Sequence, residues 1–501
     1  MHTQTGSGVP VTFLTEGIDQ TRGWAYTLLM EGVIFNEKSP YRSFLFTGLI
    51  VDEKGEKMSK SKGNVVFAKD LFNAYPSDLV RFYLVWKANP VDVLSFDRKE
   101  MTERPFQVLN TLFNLHVYYK VNSEYDKFVW EDKEKGELGE KEYWILGLLQ
   151  KAKKEYIEAY EKKKLNEMAR IMEHFIIDDL SQRYVPLIRN ELWNDSAETE
   201  KRRFGIYWTL GKVLRELDVL LHPLAPYTTD YLFENVFGAK QSILKERLPA
   251  LDEEYVNEKL IEKYEKIWNI VSLINSARMK AKIKRRWPLS KAVVYSASDL
   301  QEDLLSIISQ IANIKTVQYV NSLKELPVDV KIRPLVGELG KLFKKDSIKA
   351  KSLIESSNPF EIAESLMKDG QVTIDDFKIP YQAIEVQFLP KPGYEIAWER
   401  GLLVVIDLQR DKSLIEEGYL KDVARRVQYA RKEKGYNPTD VLEKAEIYSD
   451  DEEVVNAIEH RLDELSFLTR VKKFNVFLGK PESGTYLEYE LDEKKLYIRF
   501  E

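Results

Sequence analysis

The spacing of apolar residues changes along the chain, and that change limits the architecture more than any other property of the sequence. In the first hundred residues Val11 to Thr15 and Ser43 to Ile50 form short apolar runs. Runs of this kind suit strands of a parallel sheet buried on both faces. Ser77 to Lys87 carries helical spacing in Leu79, Val80, Tyr83 and Leu84. From about Phe96 to Val293 the spacing becomes three and four. Leu210, Val213, Leu214, Leu217 and Leu221 repeat this way, as do Met168, Ile171, Met172 and Phe175, which predicts amphipathic helices packed as a bundle. Pro223 and Pro226 interrupt the pattern, Thr228 with Thr229 is expected to cap a helix over Asp230 to Phe237, and Gly238 to end it. Further on, Ile384, Val386 and Phe388 alternate with polar residues before the turn Pro390-Lys391-Pro392-Gly393, and Leu402 to Leu408 is the expected hairpin partner or neighbour. Leu487 to Leu491 and Leu496 to Phe500 read as a terminal hairpin. The fold class is therefore α/β over 1–95, all-α over 96–293 and mixed α+β over 294–501, with charged stretches such as Glu131 to Lys141 as connectors.

Length agrees: 501 residues at about 150 per domain suggest three or so domains. An apolar content of 44% with 31% charged residues fits a globular chain, and no apolar run approaches the roughly 18 residues of a membrane span. The start, Met1 to Gly8, lacks a basic cluster followed by an apolar stretch, so no secretory signal is expected and a cytoplasmic location is the default. With no cysteine and five scattered histidines, neither structural zinc nor any other structural metal is expected. Net charge is −6, but a polyanion responds to local clusters of Lys and Arg rather than to the sum.

One loop concentrates charge in a particular order. Lys57-Met58-Ser59-Lys60-Ser61 follows Gly55 and precedes Gly63-Asn64. A match to these five residues arises by chance in on the order of one chain in a few thousand of this length. It follows an expected strand, where open parallel sheets place their ligands, and it points to chemistry on ATP. A solvated, charged loop is the competing reading until the context agrees.

The context is Glu16-Gly17-Ile18-Asp19-Gln20-Thr21-Arg22-Gly23-Trp24, followed by Gly48 and then the lysine loop. This succession closely resembles the second half of the catalytic domain of class I isoleucyl-tRNA synthetases. Valyl and leucyl relatives keep a similar lysine loop without the Asp-Gln-x-Arg-Gly-Trp run. The resemblance continues through Asp179-Leu180-Ser181-Gln182-Arg183-Tyr184, Pro223-Leu224-Ala225-Pro226, Ile283-Lys284-Arg285-Arg286-Trp287-Pro288-Leu289 and Arg425-Arg426-Val427-Gln428, and so covers nearly all of the chain. The C-terminal part looks like the archaeal and eukaryotic form.

The resemblance implies part of a nucleotide-binding fold over 1–95, an anticodon-binding helix bundle over 96–293 and a C-terminal tRNA-binding region over 294–501. It implies isoleucine and ATP, with Mg2+, as substrates and tRNA(Ile) as partner. Lys57 and Lys60 would be catalytic, because ammonium groups stabilise the negative charge that builds on the phosphates in the transition state. Glu16, Gly17 and Asp19 would line the ribose and adenylate. Gly48, Met58, Ser59 and Ser61 would lie along the nucleotide, Gly48 because a residue without Cβ lets the base approach the backbone. Gln20 and Trp24 would border the isoleucine pocket; by itself Trp24 reads as a buried core aromatic. Arg22 reads as structural.

For RNA, the stretch Arg278, Lys280, Lys282, Lys284, Arg285 and Arg286 places six cations in nine residues before Trp287. It offers an electrostatic footprint with an aromatic for stacking, against the competing reading of a solvated helix face. Arg183, Arg425 and Arg426 join it by resemblance; alone, Arg425 and Arg426 beside Leu420, Val423 and Val427 read as a plain amphipathic helix.

The same resemblance implies a His-x-Gly-His motif on the first half of the nucleotide fold. None occurs: His2, His116, His174, His222 and His460 are isolated. The chain is thus expected to begin in mid-domain, with apolar sheet edges and faces exposed. Three arrangements fit: one piece of a split synthetase whose separate partner chain carries the missing half, a non-catalytic tRNA-binding paralogue, or an incomplete product of an ordinary enzyme.

Overall fold

Parallel pairing organises the start of the chain in the computed structural model, which describes residues 10–238, 241–298 and 300–501. The stretch Met1 to Gly8, with His2, lies outside the described residues. Strand β1 (Leu14–Gly17) leads through a short 3-10 turn, Ile18–Arg22, into helix α1 (Trp24–Asn36) and returns as β2 (Phe44–Thr47), parallel to β1. Strand β3 (Ile50–Val51), the lysine loop, α2 (Ala68–Ala74) and α3 (Ser77–Lys87) then lead to β4 (Leu94–Ser95), which pairs in parallel with β3.

Two expectations need correction here. The apolar run Val11 to Thr15 marks β1 three residues early: Val11 makes a lone bridge to Tyr41, and the ladder runs on through the polar Glu16 and Gly17, which an apolar pattern cannot include. Nor are β1 and β2 buried on both faces. None of their residues is buried, because among the described residues each pairs only with the other. Helix α1 is apolar almost all round yet buries only Ala25 and Gly32, leaving Ile34 at 68% and Phe35 at 77% exposure.

The bundle begins with α4 (Arg98–Thr102) and α5 (Arg104–Tyr125), followed by α6 (Glu140–Glu161) and α7 (Leu165–His174). A π-helical stretch, Phe175–Tyr184, continues α7 into α8 (Val185–Trp193). Then come α9 (Glu200–Leu221), α10 (Pro226–Phe237) and α11 (Glu258–Lys280). The three-and-four stripes are core: Leu210, Val213, Leu214, Leu217 and Leu221 are buried, as are Met168, Met172 and Phe175. Glu173 on α7 accepts hydrogen bonds from the Trp86 indole of α3 and from Arg104 of α5, tying the α/β part to the bundle. Helix α10 starts earlier than expected. Pro226 takes its first turn, where a missing N–H costs nothing, so Thr228 and Thr229 lie inside it rather than capping it; Asp78 Oδ2 on α3 accepts the Thr228 N–H. Gly238 ends it at φ 62°.

The chain divides into two compact units, Met1–Ile261 and Glu262–Glu501, with the boundary inside α11. In the second, β5 (Leu289–Ser296) begins within the stretch whose spacing reads as helical to 293. It pairs in parallel with β6 (Ile314–Val320) across α12 (Glu302–Ala312). After β7 (Val328–Pro334) come α13 (Val336–Phe343), α14 (Ser347–Ser356), α15 (Pro359–Asp369) and the hairpin β8 (Gln371–Ile374) with β9 (Phe377–Pro380). Strand β10 (Ile384–Pro390) pairs with β7, while β11 (Tyr394–Glu399) and β12 (Leu402–Asp407) form a hairpin that joins β5. The run from Leu402 is therefore not the partner of Ile384 to Phe388. The turn at Arg400-Gly401, with Gly401 at φ 85°, pairs it with β11 instead. A second core surrounds α16 (Lys412–Glu433), where Leu420, Val423 and Val427 are buried under β13 (Leu442–Ser449), α17 (Glu452–Glu459), α18 (Leu462–Thr469), β14 (Val471–Leu478) and the terminal hairpin β15 (Leu487–Leu491) with β16 (Lys494–Phe500). No helix among the described residues is long and apolar enough to cross a membrane.

Candidate functional site

The lysine loop is built on a turn, a short extended segment and one 3-10 turn. Asp52 opens it: its Oδ1 accepts the N–H groups of Lys54 (3.0 Å) and Glu56 (2.7 Å), and Gly55 takes φ 80°, a conformation open to glycine at no steric cost. Lys57 then bridges back to Val51. Ser59 is extended and caps the turn Lys60–Lys62, its Oγ accepting the Lys62 N–H at 3.3 Å, and Gly63 closes the turn at φ 69°. Within this frame the lysines differ. Lys62 pairs with Glu56 at 3.1 Å, whereas Lys57 and Lys60, both exposed, have no carboxylate partner among the described residues. Met58 and Ser59 are half-buried and Ser61 is exposed, with its hydroxyl 3.2 Å from that of Ser59.

The second cluster lies at the carboxyl ends of β1 and β2. Their register places Gly17 opposite Thr47, so Glu16 and Gly17 lie beside the chain entering Gly48. This is the edge where open parallel sheets take ligands. Asp19 folds its carboxylate over Gly17 and accepts from Gln20 Nε2 at 3.0 Å, while Gln20 Oε1 accepts the Trp24 N–H at 3.4 Å. Trp24 is 45% exposed and meets Phe44 edge-on with ring centroids 6.1 Å apart, so the buried-core reading does not hold for it. Gly48 has a reason of its own to lack a side chain. A Cβ there would lie 1.9 Å from the Asp92 carbonyl oxygen, and its N–H donates to Pro90 O at 2.8 Å. The chain beside β4 thus demands glycine even with no base present.

The basic stretch before Trp287 does not act as one surface. Helix α11 ends at Lys280, and the following residues form a tight turn rather than a helix face. Arg278, at 1% exposure, donates to the carbonyls of Trp287 (2.8 Å), Ala312 (2.9 Å) and Asn313 (3.0 Å). Burial, with Arg285 nearby, pushes its pKa down to about 10. It clamps backbone and cannot reach a phosphate. Trp287, at 9% exposure, donates to Asp422 Oδ2 at 2.9 Å, lies against Gly418 on one side and has the Arg410 guanidinium 5.0 Å over its ring, so it offers no face to an RNA base. Arg286 pairs with the buried Asp422 and Lys284 with Asp492. Lys282 and Arg285 remain exposed. Arg425 is exposed as well, and Arg426 donates to Glu490 O at 2.7 Å. Burial first, and then Arg425 and Arg426, hold the Arg286 pKa below its ordinary value. In the bundle, Arg183 is tied to Asp179 Oδ1 at 2.9 Å within the π-helical stretch.

The chain is similar to known proteins along most of its length. Residues 2–97 match the family model for tRNA synthetases class I (I, L, M and V), and residues 142–294 match that for the anticodon-binding domain of tRNA ligase. Among similar curated proteins, the isoleucine–tRNA ligase of Methanopyrus kandleri is 30% identical over 97% of this chain and 46% of its own length. That of Picrophilus torridus is 28% identical over 99% and 47%, and that of Methanococcus aeolicus 32% over 84% and 40%. Over nearly all of its length the chain is similar to isoleucine–tRNA ligases, and residues 2–97 carry the class I synthetase match. It spans under half the length of these relatives. Among solved structures, the Agrobacterium radiobacter LeuRS in a ternary complex gives a TM-score of 0.40 at 16% identity over 65% of this chain and 36% of that one. Mycobacterium tuberculosis methionyl-tRNA synthetase with methionyl-adenylate gives 0.39 at 16% over 47% and 50%.

The structure brings Glu16, Gly17, Asp19, Gln20, Trp24 and Gly48 to one strand edge and leaves Lys57 and Lys60 without carboxylate partners among the described residues. It removes Arg278 and Trp287 from the RNA-facing set and ties Lys284 and Arg286 to carboxylates. The sequence reading gives no site role to Asp52 or Asp422 and takes Asp492 only as part of the turn of the terminal hairpin. The turn Asp52-x-x-Gly55 is a signal that marks the first; the other two carry none, because they lie far along the chain from their partners.

Proposed function

We propose that this chain is the C-terminal part of an isoleucine–tRNA ligase, joining isoleucine to AMP and passing it to tRNA(Ile), with the rest of the active site supplied by an N-terminal half. The observation that carries this reading is the pair of lysines without carboxylate partners, Lys57 and Lys60, in a loop that follows a parallel strand edge of family-matched residues. In the first step the isoleucine carboxylate attacks the α-phosphorus and the bond to the bridging oxygen of pyrophosphate breaks. Negative charge grows on the departing group, and two free ammonium groups stabilise it where a lysine already neutralised, such as Lys62, would not. Glu16 and Asp19 are placed to accept hydrogen bonds from ribose hydroxyls, Gly17 and Gly48 to let the adenylate approach, Met58, Ser59 and Ser61 to lie along the nucleotide, and Gln20 with Trp24 to flank the isoleucine side chain. Mg2+ would enter with ATP. Lys282, Arg285, Arg425 and Arg426 are the favoured tRNA contacts in the second unit, and Arg183 is the one in the bundle; a cytoplasmic location goes with this role.

The uncovered face of α1, with Tyr26, Val33, Ile34 and Phe35 exposed, favours a further segment packing there, on this chain's own longer form or on a separate one. A second reading, a non-catalytic tRNA-binding paralogue, is favoured by the exposed cations Lys282, Arg285 and Arg425. Pyrophosphate exchange with isoleucine decides between them. Exchange that appears when the N-terminal half of a matched ligase is supplied supports the composite site. Exchange that never appears, with RNA binding retained, leaves the paralogue.

A further inference from the structure

Asn64 lies outside the five-residue motif, yet it holds the backbone on both sides of Met58. In an extended segment the carbonyl of residue i and the N–H of residue i+2 leave the same edge of the chain. Lys57 and Ser59 present these two groups, and the Asn64 carboxamide meets both. Its Oδ1 accepts the Ser59 N–H at 2.9 Å, and its Nδ2 reaches Lys57 O at 3.4 Å. The side-chain amide thus takes the place that a peptide unit of a neighbouring strand would occupy. The same Nδ2 donates to Asp52 Oδ2 at 2.8 Å, which fixes which way the amide is turned.

Asp52 is itself held to the sheet. Its backbone carbonyl accepts from Ser95 Oγ of β4 at 2.9 Å, and its N–H donates to Glu56 O at 2.9 Å. The Asn64 hydrogen bond, with those from the Glu56 and Lys54 backbone, keeps the Asp52 carboxyl below its ordinary range, as expected of a carboxylate that accepts several donors. A line of hydrogen bonds therefore runs from β4 through Asp52 and Asn64 to Ser59. Ser59 in turn caps the Lys60–Lys62 turn.

We propose that Asn64 is a positioning residue for the lysine loop, with Asp52 orienting its amide, so that Lys57 and Lys60 are presented to the phosphates on an ordered backbone. The proposal rests on the ligase reading, since it assigns the order of the loop to phosphate chemistry. Neither residue touches substrate in this role. Asn64 would act on the turnover step rather than on isoleucine binding, because a catalytic group misplaced by about 1 Å can cost on the order of 100-fold in rate.

The test uses the full chain and two variants, Asn64→Ala and Asp52→Asn. Asp52→Asn keeps an oxygen for the Lys54 and Glu56 N–H groups but turns an amide donor toward the Asn64 amide. Hydrogen exchange over residues 57–64 is measured on each chain alone, with the thermal midpoint as a check that both variants fold. Pyrophosphate exchange is then measured with the supplied N-terminal half. Faster amide exchange in both variants, with kcat down by about 100-fold and the KM for isoleucine unchanged, is the expected result. Unchanged amide exchange in the loop overturns the clasp whatever the activity. Loosened exchange with kcat kept or raised overturns the positioning role. If the unsubstituted chain gives no activity, the ligase reading fails separately, and the amide exchange alone decides whether the clasp orders the loop.

Discussion

Lys57, Lys60 and Lys62 lie within six residues of one another, and only Lys62 is neutralised by a carboxylate at hydrogen-bond distance. Their substitutions should therefore divide. Lys60→Ala or Lys57→Ala is expected to lower pyrophosphate exchange in the composite enzyme by about 100-fold or more, the scale of removing one transition-state donor, with no change in thermal midpoint. Retained exchange in both variants would rule these lysines out. Gly48→Ala belongs at the same scale, with the opposite signature. The added methyl would meet the Asp92 carbonyl at 1.9 Å, so a loss of about 1–3 kcal/mol from overpacking should appear in denaturant unfolding even without nucleotide. A glycine needed only for adenine contact would leave stability unchanged.

At the scale of elements, the turn after α11 shows how charge can mislead. Six cations in nine residues look like one footprint, yet one is buried against carbonyls and two are held by acidic residues. Asp422 lies 135 residues from Trp287, and Asp492 lies 208 from Lys284. No local pattern shows partners that far away. Two predictions separate the roles. Arg278→Ala leaves buried carbonyls without a donor and should cost roughly 3 kcal/mol in equilibrium unfolding. Lys282→Ala with Arg285→Ala should leave unfolding unchanged while weakening RNA binding and reducing the salt slope by about one for each phosphate that is no longer neutralised. An unchanged slope in filter binding would remove these two residues from the interface. The helical stripes were legible: those on α7 and α9 in the bundle and on α16 in the second core are largely buried, because helical periodicity is a property of neighbouring residues. Helix α10 was misread at its start because Pro226 and Asp78 outweigh the two threonines in deciding where the helix begins.

At the scale of the molecule, an apolar α1 face stands open beside a strand pair with no buried residue. A hydrophobic dye should fluoresce strongly with this chain alone and lose that signal when the N-terminal half is added; a signal indifferent to the added half would leave the α1 face without that occupant. Stability also carries a pH signature inside the bundle. Burial raises the Glu191 pKa, but hydrogen bonds from Arg202 and Lys141 outweigh it and leave the group below the ordinary value of 4.5. A carboxylate depressed in the folded state contributes stability above the unfolded pKa, and that contribution is lost as pH falls through the folded one. The unfolding curves of the chain and of Glu191→Gln should accordingly differ at neutral pH and converge in acid below that range. Curves that stay parallel would show that the ion pairs contribute nothing net.

Read alone, the sequence gives the succession from α/β to helical to mixed structure and the resemblance to class I synthetases. Periodicity and short motifs are carried by residues adjacent in the chain, and so survive without coordinates. Only the tertiary structure decided which cations stay free, why Gly48 must be glycine, which strand faces lie open, and that Asn64 and Asp52 hold the lysine loop. Each of those depends on a group brought near by folding from elsewhere in the chain, and the free energy of a charge or a buried donor is set by that neighbour rather than by its place in the sequence.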